Sequence, residues 1–462
     1  MSSLFKAYAK NRLFTRTLLV LLTLAPLIIL IVTVARFGVD VPFWDQWNFV
    51  PLLGKSMEWG VSLEDLWRLH NEHRLFFPRL IMLGLAHLSA YSINYEVALI
   101  LLLAVGIFLL VLVQLREALK DLKVTGFVWV IPVLSLLAFS LHQGENWVWG
   151  WQIQIFLNIL AVVAGFMFLF RPRLAWPSLA ASLVCGIVAT YSYANGLTYW
   201  IIGFLGLLLV PSVGKNKKRA MLSVWALVTG LVLFSYFFRF RPVIPSGKPM
   251  LYFVSHPFEY AGYVFKYLGA AIINYQGYAL VLGLTGVAIF FWLCWTVVYK
   301  KAASLSALRP FVLIGLYSIA CALLTGVGRV GFGAEQAMSH RYVTFSNLLW
   351  YSNFIFFYLW LKDYLGSGGY QRRRRISLVI CLVLVLSVLF LIGRTSYRVG
   401  HRALKSNHDR LLPARHELLR GDNDELLRRL YIDPDFVREG IETLKRHHLS
   451  VFRESKSSER TD

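Results

Sequence analysis

The sequence predicts an all-α, polytopic membrane protein. Of its 462 residues, 57% are hydrophobic and only 16% are charged, whereas about a quarter of the residues in a soluble domain are charged. The hydrophobic residues form repeated runs of about twenty, which is the length that an α-helix needs to cross a bilayer. Because backbone polar groups must be satisfied within lipid, these runs are expected to be helical. The composition therefore excludes a soluble multidomain protein.

The net charge of +22 fits the topology of a membrane protein. Basic residues are concentrated between the hydrophobic runs, as in the four consecutive arginines at 372–375, and such an excess is typical of cytoplasmic loops. We therefore expect the lipid bilayer as a partner, and no nucleic acid. The basic residues at the N-terminus, the last of which is Arg16, precede the first hydrophobic run and place the N-terminus in the cytoplasm.

Applied along the chain, the charge rule predicts about eleven transmembrane helices with the N-terminus inside and the C-terminus outside. The segment 76–92 is hydrophobic, but it is short and contains Pro78, Arg79 and His87. We predict that it lies in the membrane interface, because counting it as a span would place the next basic loop outside. The predicted spans are 17–36, 94–114, 125–141, 152–170, 174–190, 198–211, 220–238, 278–298, 310–326, 343–361 and 376–393.

Two regions outside the spans complete the predicted organisation. Residues 1–393 form the transmembrane domain, within which residues 37–93 form a first outer loop. Residues 394–462 form a polar C-terminal tail, whose hydrophobic periodicity is that of short helices. The predicted topology places this tail on the outer face.

The outer loops gather ionisable and aromatic side chains on one membrane face. Charges held at such a face are costly and often mark a functional site. Carboxylates suit proton abstraction, tryptophans can stack on sugar faces, and arginines bind phosphate. This combination predicts a lipid-phosphate substrate from the bilayer and a second substrate from water. The candidate residues are Asp40, Asp45, Trp47, His70, Glu72, His73, Arg74, Glu145, Asn146, Trp151, Gln152, Asn195, Arg329, Glu335, His340, Arg341 and Tyr342.

Structural roles are open for several of these candidates. Asp40 or Asp45 could cap a juxtamembrane helix, and Arg329, directly after a span, could extend to lipid headgroups. The tryptophans could belong to the aromatic belt of the interface. His70 and His73 are spaced so that they could bind a divalent cation together with a carboxylate. That pattern is weak without a further ligand, so we predict no metal site and no required cofactor, with a divalent cation as the alternative.

Four sequence segments resemble the GT-C superfamily of glycosyltransferases, which use polyprenyl-phosphate sugars, in an uncharacterised bacterial branch. They are residues 43–47 (Phe-Trp-Asp-Gln-Trp), 70–74 (His-Asn-Glu-His-Arg), 145–152 (Glu-Asn-Trp-Val-Trp-Gly-Trp-Gln) and 339–342 (Ser-His-Arg-Tyr). The resemblance covers roughly residues 10–393. It implies a GT-C-like bundle with interfacial juxtamembrane helices, located in a bacterial inner (plasma) membrane.

The resemblance also implies roles for individual residues. In the superfamily an acidic residue of the first outer loop acts as general base or orients the acceptor, and the matching residue here is Asp45, with Asp40 as second choice. Many members have two adjacent acidic residues, whereas Gln46 follows Asp45 in this chain. Whether Asp45 acts alone or together with Glu72 or Glu145 is therefore left open.

The implied activity is that of an inverting glycosyltransferase. Asp45 would deprotonate an acceptor hydroxyl, which attacks the anomeric carbon of a sugar linked to undecaprenyl phosphate. Arg341, Arg329 or Arg74 would stabilise the departing phosphate. The acceptor would be a glycan, lipid or protein of the cell envelope.

Two other functions are compatible with the same side chains. A transporter or flippase of a lipid-linked sugar would use the arginines and tryptophans without a carboxylate, but it should show broken helices or repeat symmetry. An O-antigen polymerase or ligase would rely on a large arginine-rich outer loop. The concentration of acidic residues in the first outer loop favours the GT-C interpretation.

Overall fold

The computed structural model of the protein describes residues 2–58, 60–124, 128–169, 175–208, 214–241, 252–299, 305–366 and 371–453. In these ranges the chain is almost entirely helical, and its only sheet is an antiparallel pair of two-residue strands, Leu69–His70 (β1) and His73–Arg74 (β2). The predicted all-α class is therefore confirmed. Residues 454–462 of the predicted tail lie outside the described ranges.

The first half of the chain, up to residue 241, contains eleven α-helices in its described residues. They are α1 (Ser2–Phe37), α2 (Val50–Glu58), α3 (Leu63–Trp67), α4 (Phe76–Ser89), α5 (Ile93–Asp121), α6 (Val130–Ala138), α7 (Glu145–Val148), α8 (Ile153–Leu169), α9 (Trp176–Thr190), α10 (Leu197–Leu208) and α11 (Lys215–Phe237). Short 3-10 helices occupy Trp44–Phe49, Leu141–Gln143, Gly150–Gln152 and Ala194–Gly196.

The second half of the chain continues with longer helices and ends in a group of polar ones. These helices are α12 (Tyr252–Ser255), α13 (Pro257–Gly269), α14 (Gln276–Leu293), α15 (Leu305–Arg329), α16 (His340–Gly366), α17 (Gln371–Thr395), α18 (His401–Glu417), α19 (Asp424–Arg428) and α20 (Pro434–Arg446). Further 3-10 helices lie at Val330–Phe332, Gln336–Met338 and Ser450–Phe452, and π-helical turns at Cys294–Tyr299 and Ser396–Gly400.

Seven helices in the described part of the chain are long and apolar enough to cross a membrane, which makes the chain a multi-pass membrane protein. They are Leu13–Phe37, Ile93–Asp121, Gly150–Leu169, Lys215–Phe237, Gln276–Tyr299, Ala307–Phe332 and Val383–Glu417. Four shorter apolar helices accompany them: Phe76–Ser89, Val130–Gln143, Trp176–Thr190 and Ala194–Leu208. The total of eleven spans and the sidedness of the termini remain predictions.

The segment predicted to lie in the interface forms α4. Its 14 residues give a helix about 21 Å long, which is shorter than the bilayer core of about 30 Å. Buried residues of α4 include Arg79, Met82 and Ala86, while Leu88 on the same helix is 82% exposed. One face of the helix is therefore buried and the other exposed, and its place in the interface remains a prediction.

The C-terminal segment 394–453 packs on the first outer loop. The backbone N–H of Trp44 donates to the Leu430 carbonyl, and that of Ser450 donates to the Ala90 carbonyl, both at 2.8 Å. The helix α20 starts where Asp433 accepts the N–H groups of the next turn, and it buries an apolar face. This segment therefore covers the first outer loop, which carries seven of the seventeen candidate residues.

Candidate functional site

A tight hairpin turn positions three candidate side chains of the first outer loop. The strands β1 and β2 pair in a register that places His70 opposite His73, and Asn71 takes a positive φ of 51° in the turn between them. Asparagine tolerates this left-handed conformation better than most residues do. The turn thereby brings His70, Glu72 and His73 to one end of the hairpin.

His70 contacts two other candidates. Its Nε2 lies 3.4 Å from Oδ1 of Asp45, whose side chain is 21% exposed. The His70 ring also meets the ring of Trp151 edge to face, with centroids 5.0 Å apart. The structure therefore joins a carboxylate of the first outer loop to a tryptophan of the segment before α8.

Glu72 and His73 face an arginine from the end of α15. Glu72 forms an ion pair with Arg329, and the Nε2 of His73 lies 3.7 Å from Oε1 of Glu72. Burial acts to raise the pKa of Glu72, but the interactions with His73 and with the Arg329 guanidinium outweigh it and lower that pKa to about 2. Glu72 is therefore ionised at neutral pH and neutralised by its partner.

His73 is held as a neutral ring. Its Nδ1 accepts the backbone N–H of Ala194 at 3.2 Å, so the ring proton belongs on Nε2, toward Glu72. The ring stacks on Tyr193 with centroids 4.3 Å apart. Burial, opposed by the Glu72 carboxylate, lowers the pKa of His73 to about 4. At neutral pH Arg329 is consequently the only charged partner of Glu72 among these residues.

Arg341, at the start of α16, is the candidate arginine whose polar partners lie farthest away. Its nearest carboxylate is that of Glu145, with 3.9 Å between Nε and Oε2, and Nε donates to the Ser339 hydroxyl at 3.2 Å. Both ionic side chains are more than one third exposed. The contacting groups are linked by the pairing of His70 with His73 and by the electrostatic interaction of Asp45 with Arg341. We call these residues together the loop cluster: Asp45, His70, Glu72, His73, Glu145, Trp151, Arg329 and Arg341.

Asp40 has a structural role instead. Its carboxylate accepts the Ile93 backbone N–H at 2.7 Å and the Ser92 hydroxyl at 2.9 Å, at the start of α5. It also pairs with Arg453 at 2.5 Å. The bond from Ile93 satisfies one of the orphan donors at the N-terminus of α5. Asp40 is therefore a helix cap, as the alternative interpretation of the sequence had it, and both of its oxygens are occupied.

Arg74 is likewise engaged by the fold. Its Nε, Nη1 and Nη2 donate to the carbonyls of Tyr236, Trp67 and Phe238 at 2.6, 2.8 and 2.5 Å. Two of these carbonyls belong to the end of α11, where they lack helical partners. The side chain is buried, and its donors are not aimed at the loop cluster. The structure thus gives a different role to the residue predicted to bind donor phosphate.

Trp47 and Asn146 also have structural partners. The ring of Trp47 is buried and lies against Gly440 of α20, where a Cβ would come within 2.8 Å of it. The Asn146 amide donates to the Thr344 hydroxyl at 2.7 Å, which links α7 to α16. These contacts place both residues in the protein core, although the sequence predicted that they bind substrate.

The remaining candidates surround the cluster at a greater depth or distance. Glu335 accepts a hydrogen bond from Gln276 at 3.0 Å, and His340 Nδ1 lies 2.6 Å from the His142 carbonyl. The Tyr342 hydroxyl accepts from Gln336 at 2.9 Å. Two others, Gln152 and Asn195, are buried. Oε1 of Gln152 and Nδ2 of Asn195 have no hydrogen-bond partner in the described structure.

Sequence reasoning missed the carboxylate that explains Gln46. The Gln46 Nε2 donates to Oε2 of Glu96 at 2.6 Å, and its Oε1 accepts the Phe43 backbone N–H at 3.1 Å. Glu96 is 1% exposed, in the first turn of α5, and a Cβ at Gly150 would overlap its carboxylate. Gln46 therefore stands where a second acidic residue would face a buried carboxylate. An acidic residue within an apolar run was the available signal.

The described residues contain no group of three or more histidine, cysteine, aspartate or glutamate side chains arranged to hold a metal ion. No known protein family, no curated protein and no solved structure matches the chain. The resemblance to the GT-C superfamily consequently remains a prediction, and any function must be argued from the loop cluster itself.

Proposed function

We propose that the protein is an inverting glycosyltransferase that moves a sugar from a polyprenyl-phosphate donor to an acceptor of the bacterial cell envelope. Three observations carry this proposal. His70 contacts both Asp45 and Trp151, Arg341 pairs weakly with Glu145, and Asp45 interacts electrostatically with Arg341, all between segments far apart in sequence. A base, an aromatic platform and a weakly paired cation are the groups that such a transfer needs.

Asp45 is the general base of this proposal. It takes the proton of the acceptor hydroxyl as the acceptor oxygen forms a bond to the anomeric carbon of the donor sugar. The bond between that carbon and the phosphate oxygen breaks, and its electron pair leaves with the polyprenyl phosphate. A single displacement of this kind inverts the anomeric configuration. No metal ion or cofactor is required, and the proton on Asp45 passes to solvent.

Arg341 is the preferred ligand of the departing phosphate. Arg329 already forms an ion pair with Glu72, and the three side-chain nitrogens of Arg74 donate to backbone carbonyls. The carboxylate partner of Arg341 lies 3.9 Å away, and such a weakly paired guanidinium keeps more of its hydrogen-bonding capacity for a substrate anion. We therefore propose that Arg341 binds the donor phosphate. The ion pair of Glu72 with Arg329 would instead hold the pocket in shape.

The test is a transfer assay with purified protein in liposomes, a radiolabelled polyprenyl-phosphate sugar and an envelope extract as acceptor. The wild-type protein should transfer the label, and Asp45→Asn should slow transfer at least about 100-fold, because a general base contributes that much or more. Asp422→Asn changes an exposed aspartate of the C-terminal segment and should leave the rate unchanged.

Two outcomes contradict the proposal. Transfer by Asp45→Asn at the wild-type rate would remove Asp45 as the base. No transfer at all, together with movement of the lipid-linked sugar across the liposome membrane, would show a transporter rather than an enzyme. The bacterial inner membrane, with the loop cluster on its outer face, is the location that the proposal requires.

A further inference from the structure

A basic cavity of about 240 Å³ lies beside the loop cluster, between the start of α2 and the end of α3. Its lining includes Lys55, Arg68, Arg79, His70 and Trp151. The last two residues belong to the loop cluster as well. The cavity is therefore continuous with the site through a shared histidine and a shared tryptophan.

The positive charge of the basic cavity is only partly neutralised. Lys55 pairs with Asp65 at 2.5 Å, and Asp65 also accepts the backbone N–H and the hydroxyl of Ser62. This pair is neutral as a unit. Arg68 and Arg79 remain, and neither forms an ion pair with a carboxylate in the described structure. The cavity lining therefore carries two positive charges in addition to the neutral Lys55–Asp65 ion pair.

Arg79 is fixed in place. It is buried, and its Nη1 donates to the carbonyls at the end of α3, those of Leu66 at 3.0 Å and Arg68 at 2.5 Å. Burial and the neighbouring charge of Arg68 together lower the pKa of Arg79 to about 10. Because each guanidinium opposes the charge of the other, an anion between them would stabilise both.

The aromatic side of the cavity faces the proposed base. The rings of His70 and Trp151 meet edge to face, and His70 Nε2 lies 3.4 Å from the Asp45 carboxylate. This Nε2 is buried and makes no hydrogen bond in the described structure. A sugar ring against Trp151 would therefore extend from the two arginines toward Asp45.

We propose that the basic cavity binds the anionic group, a phosphate or a carboxylate, of a sugar-like substrate that arrives from water. Its role as the acceptor subsite rests on the glycosyltransferase function proposed above, whereas the binding itself does not. The donor phosphate belongs to Arg341, on a different segment of the chain. The acceptor of the reaction is, on this assignment, a negatively charged glycan.

The test measures binding to the full-length protein in detergent, without a donor, by isothermal titration calorimetry. The probes are glucose 6-phosphate and glucuronate, with glucose as the neutral sugar and inorganic phosphate as the bare anion. We expect the two charged sugars to bind more tightly than glucose or phosphate, with an affinity that falls as salt is added, because salt screens exposed charges. The stronger of the two charged probes identifies the anionic group.

Arg68→Gln is the decisive variant, because Arg68 is exposed and its side chain is not part of the core. It should weaken binding of the charged sugars about tenfold and leave glucose unaffected. Arg420→Gln, which removes an exposed arginine beyond α18, should change neither. Equal binding of charged sugars by Arg68→Gln and wild type would overturn the proposal, as would equal binding of glucose and its phosphate. Inorganic phosphate binding as tightly as the sugar phosphate would overturn the sugar-like ligand.

The failure of this proposal can be told apart from the failure of the proposed function. Charged sugars that bind in the Arg68-dependent manner to a protein without transfer activity would leave the cavity assignment intact and remove the enzyme. Transfer to a neutral acceptor, at a rate that Arg68→Gln does not change, would keep the enzyme and overturn the acceptor subsite.

Discussion

Asp40 and Asp45 lie five positions apart in the same loop, but their carboxylates have different partners. The Asp40 carboxylate accepts two hydrogen bonds at the start of α5 and forms an ion pair with Arg453. Around Asp45, the nearest ionisable partner is the His70 ring, whose Nε2 lies 3.4 Å away. A charge whose hydrogen-bonding capacity is filled by the backbone stabilises the fold, and one with unused capacity remains available to a substrate.

The same contrast separates the arginines. The side-chain nitrogens of Arg74 donate hydrogen bonds to three carbonyls, whereas the nearest carboxylate to the Arg341 guanidinium lies 3.9 Å away. The comparison implies that substitutions in the two regions affect different measurements. Those near Asp40 and Arg74 should lower stability, and those in the loop cluster should lower transfer.

Arg74→Met should have the largest effect on stability. It keeps most of the side-chain volume but leaves buried carbonyls at the end of α11 without donors, at a cost of roughly 2–4 kcal/mol. The measurement is thermal unfolding of the detergent-solubilised protein. Arg239→Met, at an exposed arginine two residues after α11, is the control and should melt like wild type. A normal melting temperature combined with lost transfer would move Arg74 into the loop cluster.

The neutral state of His73 predicts a pH dependence of stability. Its pKa falls from an ordinary value of 6.5 to about 4 on folding, so the unfolded chain binds the proton more readily than the folded one. The stability is therefore complete above pH 6.5 and is lost as the pH falls toward 4, by up to roughly 3 kcal/mol. Melting temperatures measured between about pH 7 and 5 avoid the titration of Glu72, which lies lower.

His73→Gln should flatten the pH dependence in this window, because it removes the group that titrates. His416→Gln, at an exposed position of α18, should retain the slope of the wild-type protein. An unchanged slope in His73→Gln would show that a group other than His73 carries the dependence.

Gln46→Glu tests whether the Glu96 carboxylate decides the residue at position 46. Two carboxyl groups would then face each other in a buried place and would have to share a proton. Repulsion between the two carboxylates, or the loss of the hydrogen bond from the Gln46 amide, should lower the free energy of unfolding by roughly 2 kcal/mol. Thermal unfolding at several pH values measures this loss.

The exchange Gln46→Glu with Glu96→Gln is the matched control for that variant. One carboxylate and one amide remain, so the bond between the two side chains and the bond from the Phe43 N–H can both form again. We expect the double variant to recover most of the stability. If it is no more stable than Gln46→Glu, the pairing seen here does not determine the sequence at this position.

Asp40→Asn should produce the smallest loss, about 1–2 kcal/mol, because the amide keeps an acceptor for the Ile93 N–H but loses its charge. Arg453→Gln should cost a similar amount, and the double variant should cost less than the sum, as for residues in direct contact. Asp409→Asn, at an exposed position, serves as the control. A transfer rate that falls with Asp40→Asn while the melting temperature holds would contradict the distinction between the two aspartates.

Part of the loop cluster was predictable because its residue types are unusual in an apolar chain. His70, Glu72, Arg329 and Arg341 stood out as ionisable groups next to hydrophobic runs, and the structure gives each of them an ionisable partner within the loop cluster. The structural roles of Trp47 and Asn146 were not predictable, since their partners Gly440 and Thr344 come from distant helices.

The sequence by itself determined the class of the protein. Long apolar runs allow only helices in a bilayer, whatever their packing, and the polar segments between them had to contain any site. Only the tertiary structure decided which charges in those segments are satisfied. Asp40 meets Arg453 across 413 residues, and Arg74 meets the Tyr236 carbonyl across 162. Hydrophobic periodicity is a local property, whereas the satisfaction of a buried charge depends on partners that only the folded chain brings together.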